Sequence, residues 1–399
     1  MINDLINDKS IEIYLQPIIS VKDKKIFAYE ALTRAYDRYG EAISPLYLFD
    51  QARKENLSCK LDEYVRELAL IKFANYYYED KDLLLFLNFE ASVIEDENDE
   101  YDFISVVYKY NISPSNIVIE VKEDRIKNSH ALKKFIDNYK NHDFLIAIDD
   151  FGTGYSSFDR LEFIHPDIVK IDRSLIYNLQ NNFINSEIIN AIVKMCHNIG
   201  TMVLAEGVES SEEVIACVRK DIDTFQGYWF CKPEEGIDKE RVASIKNSIC
   251  FIGEKYKNSV KELIHNKQVL LQNSRELTQK VLEILQTNGI ENMIKVAEVI
   301  TATEKLEAIY MIDVMTGTQV GETVIDAQEK YLYNPTRDGH DHSLREYFFI
   351  TNESLRGDYL SCKYISRASG NMCRTYAARI ELDKGSNDKS YIVCFDILT

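Results

Sequence analysis

The sequence predicts an α/β chain: a βα barrel, then a helical linker, then a small α+β module. Three observations carry this expectation. Short, continuously apolar runs alternate with amphipathic helical stretches from residue 10 to about 235. The stretch from about 240 to 305 contains no Pro and only Gly253 and Gly289. From about 306, strand patterns return, now separated by Gly-containing turns. The expected boundaries are 1–245 for the barrel, 246–305 for the linker and 306–399 for the module.

The apolar runs are YLQPII (14–19), LLLFLNF (83–89), NIVIEV (116–121), FLIAID (144–149), DIVKID (167–172) and TMVLAEG (201–207). They do not alternate apolar with polar, which suits strands covered on both faces. Between them lie LDEYVRELALIKFANYY (61–77) and SEIINAIVKMCHNIG (186–200), amphipathic helices, the second closed by Gly200. Strand–helix units repeated over some 230 residues favour a barrel over an open sheet. In the linker, Leu263, Leu270, Leu277 and Ile284 recur every seven residues, with Val260 and Val281 on a neighbouring stripe that Lys267 and Ser274 interrupt. Docking against its own domain and a dimeric coiled coil explain this equally well. The module reads as AIYMIDVMTGTQVGETVID (308–326), strand, Thr-Gly turn, strand, followed by LSCKYISRASGNMCRTYAARI (360–380) and SYIVCFDIL (390–398) as antiparallel strands.

Charge narrows the function. The 399 residues carry 47 Lys and Arg against 65 Asp and Glu, a formal charge of −18. That argues against wrapping a DNA or RNA polymer and against binding an anionic membrane by bulk charge. A phosphate-bearing ligand stays open, because bound metal ions invert the local sign. The eight cysteines are scattered with no CxxC pair, as in a reducing compartment. MINDLINDKS lacks the apolar core of a signal peptide, and no run nears the roughly 20 residues of a membrane span. A soluble, cytoplasmic protein is expected.

The chemistry sits where polar residues end the apolar runs. Asn88, Glu120, Asp149 with Asp150, Lys170 and Glu206 each lie at the C-terminal end of a predicted strand. In a βα barrel that end is the catalytic face. One such residue is ordinarily a cap or a surface start; five or six in register are not. Crowded carboxylates repel unless paired or metal-bound. Oxygen ligands without His or Cys neighbours point to a hard cation, Mg²⁺ or Mn²⁺. Zinc is disfavoured, since the seven His show no HxxH or HExxH spacing. Adjacent Asp149 and Asp150 suit two metals, an arrangement fitted to phosphodiester hydrolysis. Lys170, inside IVKI, then positions water or offsets charge on the phosphate. The loop DDFGTGYSS (149–157) uses Gly152 and Gly154 to turn tightly past these ligands. It lacks the spacing and Lys of a Walker motif.

These residues resemble the EAL domain, named for Glu30-Ala31-Leu32. The matching segments are YLQPI (14–18), EALTR (30–34), LNF around Asn88, IEVKE (119–123), DDFGTGYSS, VKIDRS (169–174), AEGVES (205–210) and QGYWF (226–230), in family order over roughly residues 10–236. The resemblance implies a modified TIM (β/α)8 barrel with one antiparallel strand, and hydrolysis of cyclic di-GMP to linear pGpG with two Mg²⁺ or Mn²⁺ ions. By the same resemblance, Glu30, Asn88, Glu120 and Asp149 hold the first ion, and Asp150 with Asp149 the second. Lys170 and Glu206 hold and activate the water. Glu123 steadies the 150–157 loop, and Glu209 is the second glutamate of its motif. Arg34 contacts substrate phosphate, Gln16 lies at a substrate base, and Gln226 stands near the site. The heptad helix and the loop after Asp150, which in this family links the dimer face to the metals, together suggest a homodimer. A receptor that binds cyclic di-GMP with little or no turnover is the competing reading, although such receptors typically lack the metal ligands that are present here.

Two departures stand out. Where the family commonly has Arg-Trp-x-His-Pro, this chain has Arg34-Ala35-Tyr36-Asp37-Arg38, which alters the binding rim. Where the family has Thr after Glu-Ile, this chain has Lys122, which lowers metal affinity if it points at the ions. The segment 306–399 loosely resembles PAS-like Cache domains through HSLREYFF (342–349), YISRASGN (364–371) and RTYAARI (374–380). That implies a regulatory or dimerisation role and a small-ligand pocket near Arg345, Tyr347 and Tyr364, with Ser366 where an acidic residue is often found.

Overall fold

The computed structural model describes residues 1–90, 94, 102–122, 128–153, 158–289, 296, 299, 303, 305–325, 334–366, 370–382 and 389–399. They form two compact units, Met1–Ser259 and Val260–Thr399.

The first unit is a closed barrel. Strand β1 (Ile11–Ser20) pairs antiparallel with β2 (Lys25–Tyr36) on one side and β9 (Thr224–Phe225) on the other. Between those two, β4 (Leu84–Asn88), β5 (Ile117–Lys122), β6 (Leu145–Phe151), β7 (Ile168–Ile171) and β8 (Met202–Ala205) complete a parallel series. The short β3 (Ala42–Ile43) is appended to β2. The barrel therefore has eight strands with β1 reversed.

Closure explains why the runs read as continuously apolar. Side chains alternate between the two faces of a strand. One set, including Leu85, Ile119, Ile146, Val169 and Val203, packs outward in the large core that also takes in the helices. The other set, Ile18, Ala28, Phe86, Val118, Ala147, Ile168 and Leu204, fills the barrel interior. Four of the helices start where the sequence offers a cap: Ser44, Asn128, Asn182 and Ser210 each accept a backbone N–H of the first turn.

The second unit is an antiparallel sheet. Strands β10 (Leu306–Asp313), β11 (Gln319–Ile325), β12 (Asp358–Leu360), β14 (Met372–Leu382) and β15 (Lys389–Leu398) lie in the order β11-β10-β15-β14-β12, and β13 (Tyr364–Ile365) pairs with β14. The turn between β10 and β11 places Gly317 at a φ of 71°, as the Thr-Gly pattern predicts.

The long helix spans Lys239–Asn288 and stops at Gly289, whose φ is 74°. Ile245, Ile249 and Ile252 belong to the core of the first unit. Leu277, Val281 and Leu285 belong to the core of the second, against Ile309, Met311, Tyr376 and Phe395. Docking within the chain thus accounts for the later part of the heptad stripe, whereas Leu263 stays 52% exposed.

Candidate active site

The barrel interior is built in layers. Two residues beyond each apolar interior residue, toward the C-terminal mouth, the next inward-facing side chain is polar. Ala28 is followed by Glu30, Phe86 by Asn88, Val118 by Glu120, Ala147 by Asp149, Ile168 by Lys170 and Leu204 by Glu206. Thr224 is followed by Gln226, and on the reversed β1, Ile18 corresponds to Gln16. The strand repeat of two converts residues scattered over more than 200 positions into one ring.

Lys170 is its centre. Its side chain is 2% exposed and its Nζ forms an ion pair with Glu120, with Glu206 at 2.6 Å, with Asp149 at 3.1 Å and with Glu30 at 3.7 Å. Burial alone would lower the Lys170 ammonium, but these carboxylates raise it well above its ordinary value. Burial also raises Glu120 well above the usual carboxylate range, with Glu30 adding to the effect. Glu206 is pushed up to about 8, again chiefly by burial. Asp149 goes the other way: burial would raise it, but Lys170 and Lys122 hold it low.

A hydrogen-bonded wall supports Glu30. Gln226 Nε2 donates to Glu30 Oε2 at 2.6 Å and to Gln16 Oε1 at 3.1 Å, and Asn88 Nδ2 donates to Glu30 Oε1 at 3.1 Å. Gln16 in turn donates from Nε2 to the Cys231 carbonyl at 3.1 Å. Gln16 and Gln226 are thus engaged in positioning Glu30 and do not line the active-site cavity. Gly227 is required for this placement, because a Cβ there would come within 2.1 Å of the Val208 carbonyl.

Adjacent Asp149 and Asp150 both serve the site because β6 is irregular there. Its register to β7 shifts between Ile148 and Phe151, and Asp150 takes a left-handed φ of 55°. A regular strand would send the two carboxylates to opposite faces. Gly152 follows at a φ of 107°, where a Cβ would strike Leu175 Cδ1 at 2.4 Å. Gly154 and Glu123 lie outside the described residues.

Lys122 does point into this site. It pairs in register with Asp149, and its Nζ lies 3.0 Å from Asp150 Oδ2 and 3.3 Å from Asp149 Oδ2. Burial opposes its charge, but the two aspartates outweigh that and raise its pKa.

The cavity above this ring has a volume of about 410 Å³. Arg34 lines it, with its guanidinium 5.4 Å from the Tyr14 ring centre and Nη1 donating to the Thr33 carbonyl. Of the departing residues after Arg34, Ala35 and Tyr36 end β2 opposite Ile43 and Ala42 of β3, and Asp37 and Arg38 lead into the following turn: Tyr36 shares a hydroxyl contact with Tyr14, and Asp37 accepts from the Tyr39 and Glu41 amides. Glu209 does not line the cavity; its carboxylate pairs with Arg173 at 2.8 Å. Sequence reasoning missed Asp62 and Arg66, a buried pair 2.7 Å apart in the cavity wall. The signal was available, since two opposite charges four residues apart interrupt the apolar face of the helix Ser58–Glu79.

The donor set fits divalent cations. Among the described residues, the carboxylates of Glu30, Glu120, Asp149, Asp150 and Glu206 face the ammonium groups of Lys122 and Lys170. Ligand oxygens of Asp149, Asp150 and Glu206 all lie within 4.8 Å of one another. Glu120 Oε2 is buried with no hydrogen-bond partner among the described residues. A carboxylate oxygen left so is costly unless a cation completes it, and oxygen donors suit hard ions.

Comparison with known proteins agrees with this architecture. The uncharacterized EAL-domain containing protein YkuI of Bacillus subtilis (strain 168) is 25% identical over 380 residues, covering 91% of this chain and 90% of YkuI. The cyclic di-GMP phosphodiesterase PdeA of Borreliella burgdorferi is 27% identical over 223 residues, which cover 56% of this chain and 33% of PdeA. The crystal structure of YkuI in complex with substrate c-di-GMP and calcium matches with a TM-score of 0.82 over 100% of this chain and 99% of that one, at 22% identity, a likeness of fold. Klebsiella pneumoniae BlrP1, in a complex with calcium and cyclic di-GMP, matches 57% of each chain at 26% identity and a TM-score of 0.52. The family model described as the EAL domain matches residues 1–233, and the chain belongs to the EAL-domain family.

Proposed function

We propose that this chain is a metal-dependent phosphodiesterase that hydrolyses cyclic di-GMP to linear pGpG. The observation that carries the reading is the buried Lys170 held among four carboxylates, beside the Asp149–Asp150 pair, at the mouth of the barrel. PdeA and the ligand complexes of YkuI and BlrP1 support the choice of substrate.

In this reading Glu30, Asn88, Glu120 and Asp149 hold one Mg²⁺ or Mn²⁺, and Asp149 with Asp150 a second. When bound, the two ions supply positive charge that acidifies water and offsets charge on the reacting phosphate. Arg34 grips a phosphate at the rim. Lys170 and Glu206 hold the attacking water, and Glu206 accepts its proton. The water oxygen forms a bond to phosphorus while the bond to the 3′ oxygen breaks. That oxygen leaves and is protonated, so one 5′-phosphate and one 3′-hydroxyl end result. Gln226 and Gln16 act by positioning Glu30. Glu123 steadies the 150–157 loop, and Glu209 serves as the second glutamate of its motif, paired with Arg173.

Lys122 modifies the scheme. Its ammonium occupies the approach to Asp149 and Asp150, so a second ion binds in competition with it. This observation also favours the alternative reading, a cyclic di-GMP receptor with slow turnover. We further infer a cytoplasmic homodimer with domains 1–245, 246–305 and 306–399, the last regulating the first. No helix among the described residues is long and apolar enough to cross a membrane.

The test is incubation of the purified chain with cyclic di-GMP and Mg²⁺ or Mn²⁺, with chromatography of the products. Appearance of pGpG, lost in Glu206→Gln, is expected. Binding without pGpG at any metal concentration would select the receptor.

A further inference from the structure

Glu206 is tied to β7 twice: its carboxylate lies 2.6 Å from Lys170 Nζ, and its N–H donates to the Ile171 carbonyl at 3.0 Å. The next residue, Gly207, takes the chain out of β8 at a left-handed φ of 65°. At such a reversal the direction of the Glu206 side chain depends on what holds the peptide that follows it. Arg173 holds that peptide. It lies three residues after Lys170, in the short helix Arg173–Ile176 that Asp172 caps, so it departs from the same strand end as the central ammonium. Its Nη1 donates to the Gly207 carbonyl, and its Nη2 pairs with Glu209 at 2.8 Å. Its aliphatic stem lies against Gly207, where a Cβ would meet Arg173 Cβ and Cδ at 3.0 Å.

The Arg173 contacts are backed from below. Buried Glu213 accepts the Glu209 amide at 2.9 Å and the Asn178 amide at 3.1 Å, and it lies 3.9 Å from Arg173 Nη1. An exposed ion pair contributes little by itself, and Glu209 is half exposed. The contact that matters more is the one to the Gly207 carbonyl. A hydrogen bond from a charged donor is the stronger kind, and this one ends on the residue beside Glu206. The neighbouring residue extends the same turn to the other side: the Asp172 amide donates to the Phe151 carbonyl at 3.1 Å, just past Asp149 and Asp150. The turn after β7 thus spaces Lys170, Glu206 and the aspartate pair relative to one another. Arg173 itself does not line the active-site cavity.

We propose that Arg173 is a positioning residue for the barrel reaction: it clamps the peptide after Glu206 and so sets the Glu206 carboxylate against Lys170 and the attacking water. The inference rests on the phosphodiesterase reading above. Misplacing a reacting group by about 1 Å costs on the order of 100-fold in rate, so a clamp outside the cavity governs turnover without touching substrate.

Arg173→Met keeps the stem and removes the donors, and it is compared with the parent as the full chain. In pGpG formation with Mn²⁺, kcat falls about 10- to 100-fold, the range for losing a hydrogen bond from a charged group. KM for cyclic di-GMP, and Mn²⁺ binding followed by electron paramagnetic resonance, stay within about 2-fold, because the lost interaction acts on turnover and not on binding. Arg173→Lys keeps a charge for Glu209 but lacks the fork that reaches Gly207 as well, and it recovers part of the loss. Hydrogen exchange read by mass spectrometry, without substrate, is the second measurement. The peptide spanning 206–210 exchanges about 10-fold faster in Arg173→Met, while that spanning Leu84–Asn88 is unchanged. Lys220→Met, which removes an ion pair with Glu187 just past the helix Ser211–Arg219, changes neither readout. A kcat in Arg173→Met within about 2-fold of the parent, or a loss carried by KM, overturns the proposal. So does unchanged exchange at 206–210, or an equal loss in Lys220→Met. If the parent itself forms no pGpG, the phosphodiesterase reading fails, and the clamp is upheld or overturned by the exchange alone.

Discussion

Replacing Lys170 with Met keeps the bulk and removes the charge that holds the barrel mouth together. In the native chain one ammonium faces Glu120, Glu206, Asp149 and Glu30, all within 3.7 Å, with a side chain only 2% exposed. Removing one partner of a buried ion pair costs about 3–5 kcal/mol, because the remaining charge is left uncompensated. For a unit of roughly 250 residues each kcal/mol is worth about 2–4 °C in melting temperature. Metal-free Lys170→Met is therefore expected to melt about 10 °C below the parent. Added Mg²⁺ or Mn²⁺ supplies positive charge at the same carboxylates. At one hundred times its dissociation constant, one bound ion returns about 2.7 kcal/mol. The metal-induced rise in melting temperature is thus larger in the variant than in the parent, while pGpG formation is lost in both the presence and absence of metal. Differential scanning fluorimetry with and without a chelator reads the first part, product chromatography the second. If the metal-free variant melts within a degree of the parent, Lys170 does not organise these carboxylates and the argument fails.

Lys122→Thr removes the ammonium between Asp149 and Asp150, so Mn²⁺ binding followed by electron paramagnetic resonance should show a second ion at several-fold lower concentration than in the parent; an unchanged titration would contradict the competition. Gly227→Ala forces a Cβ against the Val208 carbonyl at 2.1 Å. The overpacking should cost about 1–3 kcal/mol in thermal or urea unfolding and lower turnover by displacing Gln226 from Glu30. Asp396, raised to about 6 from an ordinary 3.8, holds its proton more tightly when folded. The second unit therefore loses stability as pH rises from about 4 through 6, by about 3 kcal/mol at 1.36 kcal/mol per pH unit. Asp396→Asn flattens that slope and raises the melting temperature at neutral pH; a slope unchanged in the variant would show that Asp396 is not its source.

Much of the candidate site was legible because a βα barrel imposes simple rules. Apolar runs ending in Asn88, Glu120, Asp149, Lys170 and Glu206 can only converge if the strands are parallel and close on themselves. Gln16 was expected at a substrate base and Gln226 near the site; their hydrogen bonds toward Glu30 were not visible, because they depend on β1 running backwards beside β2. Asp62 and Arg66 were passed over because helix periodicity cannot say which face meets the cavity. In the second unit, Asp396 sits in an ordinary strand pattern, SYIVCFDIL. Nothing local distinguishes a carboxylate that faces water from one that lines a cavity.

The order of the elements, the apolar layer and the identity of the polar ring were determined by the sequence alone, since strand periodicity is local and the motif residues stand at strand ends. Tertiary structure decided how those residues act on one another. It put one ammonium among four carboxylates, turned Asp150 back toward Asp149 through a break in β6, and set Lys122 between them. Charge–charge energies vary with distance and burial, and both are properties of the closed barrel that no stretch of the chain contains by itself.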